Sequence, residues 1–64
     1  MKTIKSILMS KYSIILSQLS DGNYNVMYIK SKDEKICSWA NTFDLNVALS
    51  IFDYTLAGFE VYDS

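Results

Sequence analysis

An Asp-Gly pair between two apolar runs constrains the fold of this chain more than any other feature. Residues 11–19, KYSIILSQL, and residues 24–30, YNVMYIK, both alternate with the two-residue period of β-strands. Asp-Gly between two such runs is the strongest short-range signal for a β-hairpin. The sequence therefore predicts two antiparallel strands joined by a tight turn at Asp21 and Gly22.

Two turn geometries compete at this hairpin. A two-residue type I′ turn centred on Asp21-Gly22 would place the apolar residues of the second strand beside Leu19, Ser17 and Ile15. A three-residue loop, residues 20–22, with Gly22 in the left-handed conformation, segregates the side chains better. One face then carries only apolar and aromatic residues: Tyr12, Ile14, Leu16, Tyr24, Val26 and Tyr28. We therefore predict the three-residue loop.

The rest of the chain predicts a third strand and one helix. KSKDEK, residues 30–35, is typical of a charged turn, and residues 35–40 of a strand. Asp44 suits the N-cap of a long helix, Phe43 can pack on Ala48, and Gly58 suits the position just past the helix end. Residues 1–10 fit either a helical turn or strand-like structure, and the tail from Phe59 fits a short last strand or a fraying end.

These elements predict a single small domain, residues 1–64, of the α+β class. Three antiparallel strands form a meander, and the C-terminal helix packs on one face of it, in the order β-β-β-α with a possible short terminal strand. The expected core is Tyr12, Ile14, Leu16, Val26, Tyr28, Trp39, Phe43, Leu45, Ala48, Ile51, Phe52 and Leu56.

The second face of this sheet is the first candidate for an interface. It is apolar but interleaved with serine and asparagine, and it has few charges, as the centres of protein interfaces do. With the helix flank, the candidate protein interface is Ile15, Leu19, Met27, Ile29, Val47 and Tyr54. The alternative is that the N-terminal segment or the tail folds across this face and covers it.

The sequence contains few residues that could support catalysis or metal binding. The chain has no histidine and one cysteine, so Cys37 lacks the usual base that would activate it. Zinc would have to bind Cys37 and carboxylates alone, and the two glycines cannot build a phosphate-binding loop. We therefore expect neither an enzyme nor a cofactor. A lone cysteine suits the reducing cytoplasm, and no apolar run is long enough to span a membrane.

The charges are distributed unevenly along the chain. Residues 1–43 hold all six lysines and three acidic residues, a net +3, whereas residues 44–64 hold four acidic residues, a net −4. Lys30, Lys32 and Lys35 are candidate nucleic-acid contacts, although the chain has no arginine, the residue best suited to base and phosphate contacts. Asp53, Glu60 and Asp63 are candidate acidic contacts for a basic groove on a partner.

The sequence favours a small non-enzymatic protein-binding module that occupies the surface of a larger protein or self-associates as a homodimer. Its brevity and its Lys, Asn, Ile, Ser and Tyr content suggest a phage or mobile-element accessory protein, such as an inhibitor of a host enzyme. The alternative is a nucleic-acid-binding or transcription-regulating module that uses the lysine-bearing hairpin.

Overall fold

A computed structural model describes the backbone of residues 1–63 and the side chains of residues 1–61. The elements are β1 (Lys2–Leu8), β2 (Tyr12–Gln18), β3 (Tyr24–Lys30), β4 (Ile36–Thr42) and α1 (Leu45–Asp63). The strands form one antiparallel sheet in the order β1-β2-β3-β4. The α+β class, the meander and the C-terminal helix are confirmed. The strand count is corrected from three to four, because the N-terminal segment forms a strand of its own.

The β2–β3 hairpin has the three-residue loop that side-chain segregation predicts. Leu16 lies opposite Val26, and Ile14 lies opposite Tyr28. The Leu19 N–H donates to the Asn23 carbonyl at 2.7 Å, and the Gly22 N–H donates to the Leu19 carbonyl at 3.0 Å. Gly22 has a φ of 88°, in the left-handed region that favours glycine.

Strand β1 extends the sheet sideways beyond β2. Its register shifts between Thr3 and Lys5, so Ile4 forms a bulge. Lys5 then lies opposite Leu16, and Ile7 opposite Ile14. Every residue of β1 is exposed, as expected for an edge strand outside the area that the helix covers. The N-terminal segment therefore does not fold across a face of the sheet.

Strand β4 also contains a bulge, and it extends two residues further than predicted. Met27 lies opposite Ser38 and Val26 opposite Ala40, which leaves Trp39 as the extra residue. Such a bulge reverses the alternation of side chains along the strand. Ser38 is on the face away from the helix, whereas Trp39 and Ala40 both border the helix side.

Helix α1 begins as predicted and ends later. The Asp44 carboxylate accepts the N–H of Asn46 at 2.9 Å and that of Val47 at 3.3 Å, which confirms the N-cap. The prediction that Gly58 follows the helix end is wrong, and so is the short terminal strand, because the helix continues to Asp63.

Aromatic packing accounts for the longer helix. The Phe59 ring lies 4.5 Å from the Tyr12 ring and 4.9 Å from the Tyr28 ring, measured between centroids. Contacts of this kind stabilise the turns beyond a glycine more than its weak helix propensity costs.

The core lies between α1 and the two central strands. Its fully buried members are Ile14, Leu16, Val26, Ala48 and Phe52, and its strand residues all come from β2 and β3. Three predicted core residues are exposed instead: Trp39, Phe43 and Leu45. They lie on β4 or near the helix start, where the helix does not cover the sheet fully.

Candidate protein-binding surface

An open apolar groove runs between α1 and β4. Its walls are formed by Trp39 and Ala40 from the strand and by Val47, Ile51 and Tyr54 from the helix, with Asn46 and Ser50 also lining it. Its volume is about 680 Å³. We call this surface the β4 groove. No charged residue lines it, so its chemistry suits burial of apolar groups.

The groove continues along the helix toward its C-terminal half. A second depression of about 400 Å³ shares Trp39 and Tyr54 with the first and is also lined by Tyr28, Thr55, Gly58 and Phe59. On α1, the residues that face this surface recur at positions 47, 51, 54 and 58, which is one stripe of a helix. The two depressions thus form one apolar surface with the Trp39 and Tyr54 rings at its centre.

The side chains of the groove are strongly exposed for their type. Tyr54 is 77% exposed, Trp39 55% and Val47 46%. Exposed apolar groups that form one patch, as these three do, are typical of interaction sites. Ile36 and Phe43 are also exposed, at 63% and 71%, but they lie outside the groove. Ile36 lies opposite Ile29 on the other face of the sheet, and Phe43 directly follows β4.

The outer edge of β4 borders the groove. β4 has one strand neighbour, β3, so its other side presents backbone N–H and C=O groups without a strand partner within residues 1–63. Residues 36–43, ICSWANTF, carry no charge. An unpaired strand edge is a template for another strand. The β4 groove therefore combines an apolar surface with an edge able to form backbone hydrogen bonds.

The structure divides the interface that the sequence predicts into two surfaces. Val47 and Tyr54 line the β4 groove, whereas the strand residues belong to the opposite face of the sheet. There Met27 is only 9% exposed, and Ile15, Leu19 and Ile29 are half-buried. Neighbouring strands shield these side chains, since Met27 lies between Ile15 and Ser38. Neither β1 nor α1 covers this face.

Trp39, which the sequence predicts to lie in the core, lines the groove instead. Its exposure follows from the bulge and from the position of the helix over β2 and β3. The uncharged run from Ile36 to Phe43 was the available signal, because edge strands usually carry charges.

The candidate nucleic-acid contacts lie in and beside the β3–β4 turn. Lys30, Lys32 and Lys35 are exposed, but Asp33 and Glu34 stand among them, and the five residues together carry a net +1. The Asp33 carboxylate accepts the Lys35 N–H at 3.1 Å. Phosphate neutralisation dominates nucleic-acid affinity, so such mixed charge gives a weak basic site.

The candidate acidic contacts for a partner do not form an acidic face free of lysine. The Lys5 ammonium lies 3.4 Å from the Asp53 carboxylate and 4.9 Å from the centre of the Phe52 ring. The basic and acidic halves of the chain thus meet at β1 and α1. Glu60 is exposed on the helix, and the side chain of Asp63 lies outside the described residues.

Two titratable groups interact across β3 and β4. Tyr28 and Cys37 lie opposite each other on β3 and β4. A side-chain hydrogen bond with Cys37, followed by the negative charge of its thiolate, raises the pKa of Tyr28 above its usual value. Cys37 is free and half-buried.

Among the side chains of residues 1–61, no group of three or more Cys, Asp and Glu is placed to hold a metal ion. No helix in this part of the chain is long and apolar enough to cross a membrane. Neither a protein-family model, a curated protein nor a solved structure matches this chain.

Proposed function

We propose that this chain is a small non-enzymatic protein-binding module and that its binding surface is the β4 groove. The observation that carries the proposal is the clustering of exposed Trp39, Val47 and Tyr54 beside the outer edge of β4. Fully burying one large apolar side chain is favourable by about 1.5–3 kcal/mol, so covering the exposed part of these side chains favours association. Aromatic residues are also the side chains most often responsible for affinity at interfaces.

The groove suits a protein partner better than a small molecule. It is wide and open, and its polar groups are few, whereas small-molecule sites enclose their ligand and orient it with several polar contacts. A partner can add backbone hydrogen bonds along β4 and place apolar side chains against Trp39 and Tyr54.

Site-specific photo-cross-linking in the native host tests this proposal. A photoreactive phenylalanine analogue replaces Tyr54, which is 77% exposed, so the fold should be retained. The matched control carries the analogue at Asp21, an exposed residue of the β2–β3 turn that does not line the groove. We expect protein adducts, with this chain or with another, from position 54 and few from position 21.

Two results would contradict the proposal. One is the absence of protein adducts from position 54. The other is equal adduct formation from positions 54 and 21, which would indicate random collision. Chain without the photoreactive analogue, added as a competitor, should reduce the adducts from position 54. A competitor carrying Tyr54→Asp should not reduce them, because a charge in an apolar interface is costly to desolvate.

A further inference from the structure

The two edges of the sheet differ in their capacity to pair with another strand. β1 carries Lys2, Lys5 and a bulge at Ile4, which are the devices by which proteins protect an edge. β4 has a bulge but no charged residue. Only the β4 edge therefore combines unpaired backbone with an uncharged, apolar surrounding.

The bulge at Trp39 restricts which strand can pair with β4. Cys37, Ala40 and Thr42 lie opposite helix-side residues of β3, whereas Ser38 and Asn41 lie opposite residues of the other face. Residues directly opposite each other have their side chains on the same face of the sheet. In a partner strand, the alternation of side chains between the two faces must therefore be interrupted at the same place. A second copy of this chain, running antiparallel, carries that same change.

We infer that the β4 groove binds a second copy of this chain, through antiparallel pairing of the two β4 strands about a two-fold axis between Trp39 and Ala40. This inference rests on the proposed protein-binding role of the groove. In this register Trp39 lies opposite Ala40 of the second copy, Ser38 opposite Asn41, and Cys37 opposite Thr42. The two residues of each pair then lie on the same face of the sheet. A register shifted by two residues would place residues of different faces opposite each other.

The same register brings complementary groups together at both ends of β4. Each indole lies over Ala40 of the second copy, the small residue that lines the groove between β4 and the helix. Ile36 lies opposite Phe43 of the second copy, which pairs two exposed apolar side chains. Lys35 lies opposite Asp44 of the second copy, and the symmetry repeats this ion pair.

The surface area of the chain and the two-fold symmetry of the inferred contact suit a closed dimer. A standard interface buries about 800 Å² on each partner, which is just under a fifth of the 4340 Å² surface of this chain. An isologous two-fold contact uses the same patch on both copies and closes at two. The lysines of β1 then oppose further strand addition at the outer edges.

Disulfide trapping tests the register. Thr42→Cys places a thiol opposite the native Cys37 of the second copy, at a distance that a disulfide can bridge. Within one chain the two positions are about 16 Å apart along β4, so they cannot pair internally. We expect Thr42→Cys to give a covalent dimer under mild oxidation, with peptide mapping showing the 37–42 link.

The control is Thr42→Cys combined with Cys37→Ser. It keeps the new thiol, but the inferred register separates the two copies of residue 42, so it should not cross-link. Equal cross-linking of the control and Thr42→Cys would overturn the register. Sedimentation of the unmodified chain as a monomer at every concentration would overturn the inference itself, while adducts of Tyr54 with other proteins would leave the proposed function standing.

Charge reversal provides a second, independent test. Lys35→Glu and Asp44→Lys each place like charges opposite each other at both ends of β4, so each variant alone should dimerise about tenfold or more weakly. Mixed together, the two variants restore both ion pairs and should form a heterodimer. Circular dichroism checks folding, and Asp44→Asn, which keeps the N-cap, reports the loss of charge alone. Failure of the mixture to associate, with both variants folded, would overturn the register.

Discussion

Replacing Gly58 with alanine distinguishes a glycine inside α1, as the structure has it, from a glycine just past the helix end, as the sequence predicts. Gly58 lies inside α1, and a Cβ added there meets no heavy atom within 4 Å. Alanine in a helix interior is more stable than glycine by about 0.5–1 kcal/mol. Since no packing penalty opposes this gain, Gly58→Ala should stabilise the protein by that amount. If Gly58 lay past the helix end with a positive φ, Gly58→Ala would destabilise the protein instead.

The gain is large enough to measure. For a domain of this size, each kcal/mol shifts the Tm by about 4–8 °C, so Gly58→Ala should raise it by roughly 2–8 °C. Thermal and urea unfolding followed by far-UV circular dichroism give the value. Parent and variant are compared at one protein concentration, because association stabilises the folded state.

Gly22→Ala is the matched control. Its added Cβ also meets no heavy atom within 4 Å, but its φ is 88°, so only backbone strain differs between the two sites. It should lower stability by about 1–2 kcal/mol. A lower Tm for Gly58→Ala, or an unchanged Tm for Gly22→Ala, would refute the reasoning.

Further substitutions test the core, the helix start, the ion pair and the tyrosine paired with Cys37. Phe52→Ala should cost about 3–5 kcal/mol in urea unfolding, because Phe52 is fully buried at the centre of the core. Asp44→Ala should cost about 1 kcal/mol and Asp44→Asn far less, since asparagine also caps helices. Lys5→Gln should cost less than about 1 kcal/mol, because both partners of the Lys5–Asp53 pair are largely exposed, and salt should narrow the difference. Stability should fall as pH rises past about 10, because the unfolded chain releases the Tyr28 proton while the folded chain, with its raised pKa, retains it. Cys37→Ala should reduce that dependence in pH-resolved unfolding and shift the tyrosinate absorbance titration to lower pH.

The central hairpin was predictable because burial and turn chemistry agree there. Tyr24, Val26 and Tyr28 had to share a face with Ile14 and Leu16, and Gly22 supplied the left-handed residue that this register requires. Strand β1 was harder, because its residues are all exposed and its bulge at Ile4 breaks the alternation that identifies a strand.

The candidate surface was predictable only in part. The helical period alone predicts that Val47 and Tyr54 lie on the helix flank. The prediction that Trp39 lies in the core is wrong, because the sequence does not say which strands a helix will cover. That choice depends on how Phe52 and Phe59 pack on β2 and β3, a tertiary effect that local patterns do not contain.

The meander order of the strands also bears on how quickly the molecule can fold. Each strand pairs with its neighbour along the chain, and the connections span only residues 9–11, 19–23 and 31–35. Short loops have a small closure entropy, and topologies rich in local contacts fold faster than those with distant pairings. Most of the sheet can therefore form from adjacent segments before α1 docks, and the docking of Phe52 and Phe59 is the step that joins distant parts of the chain.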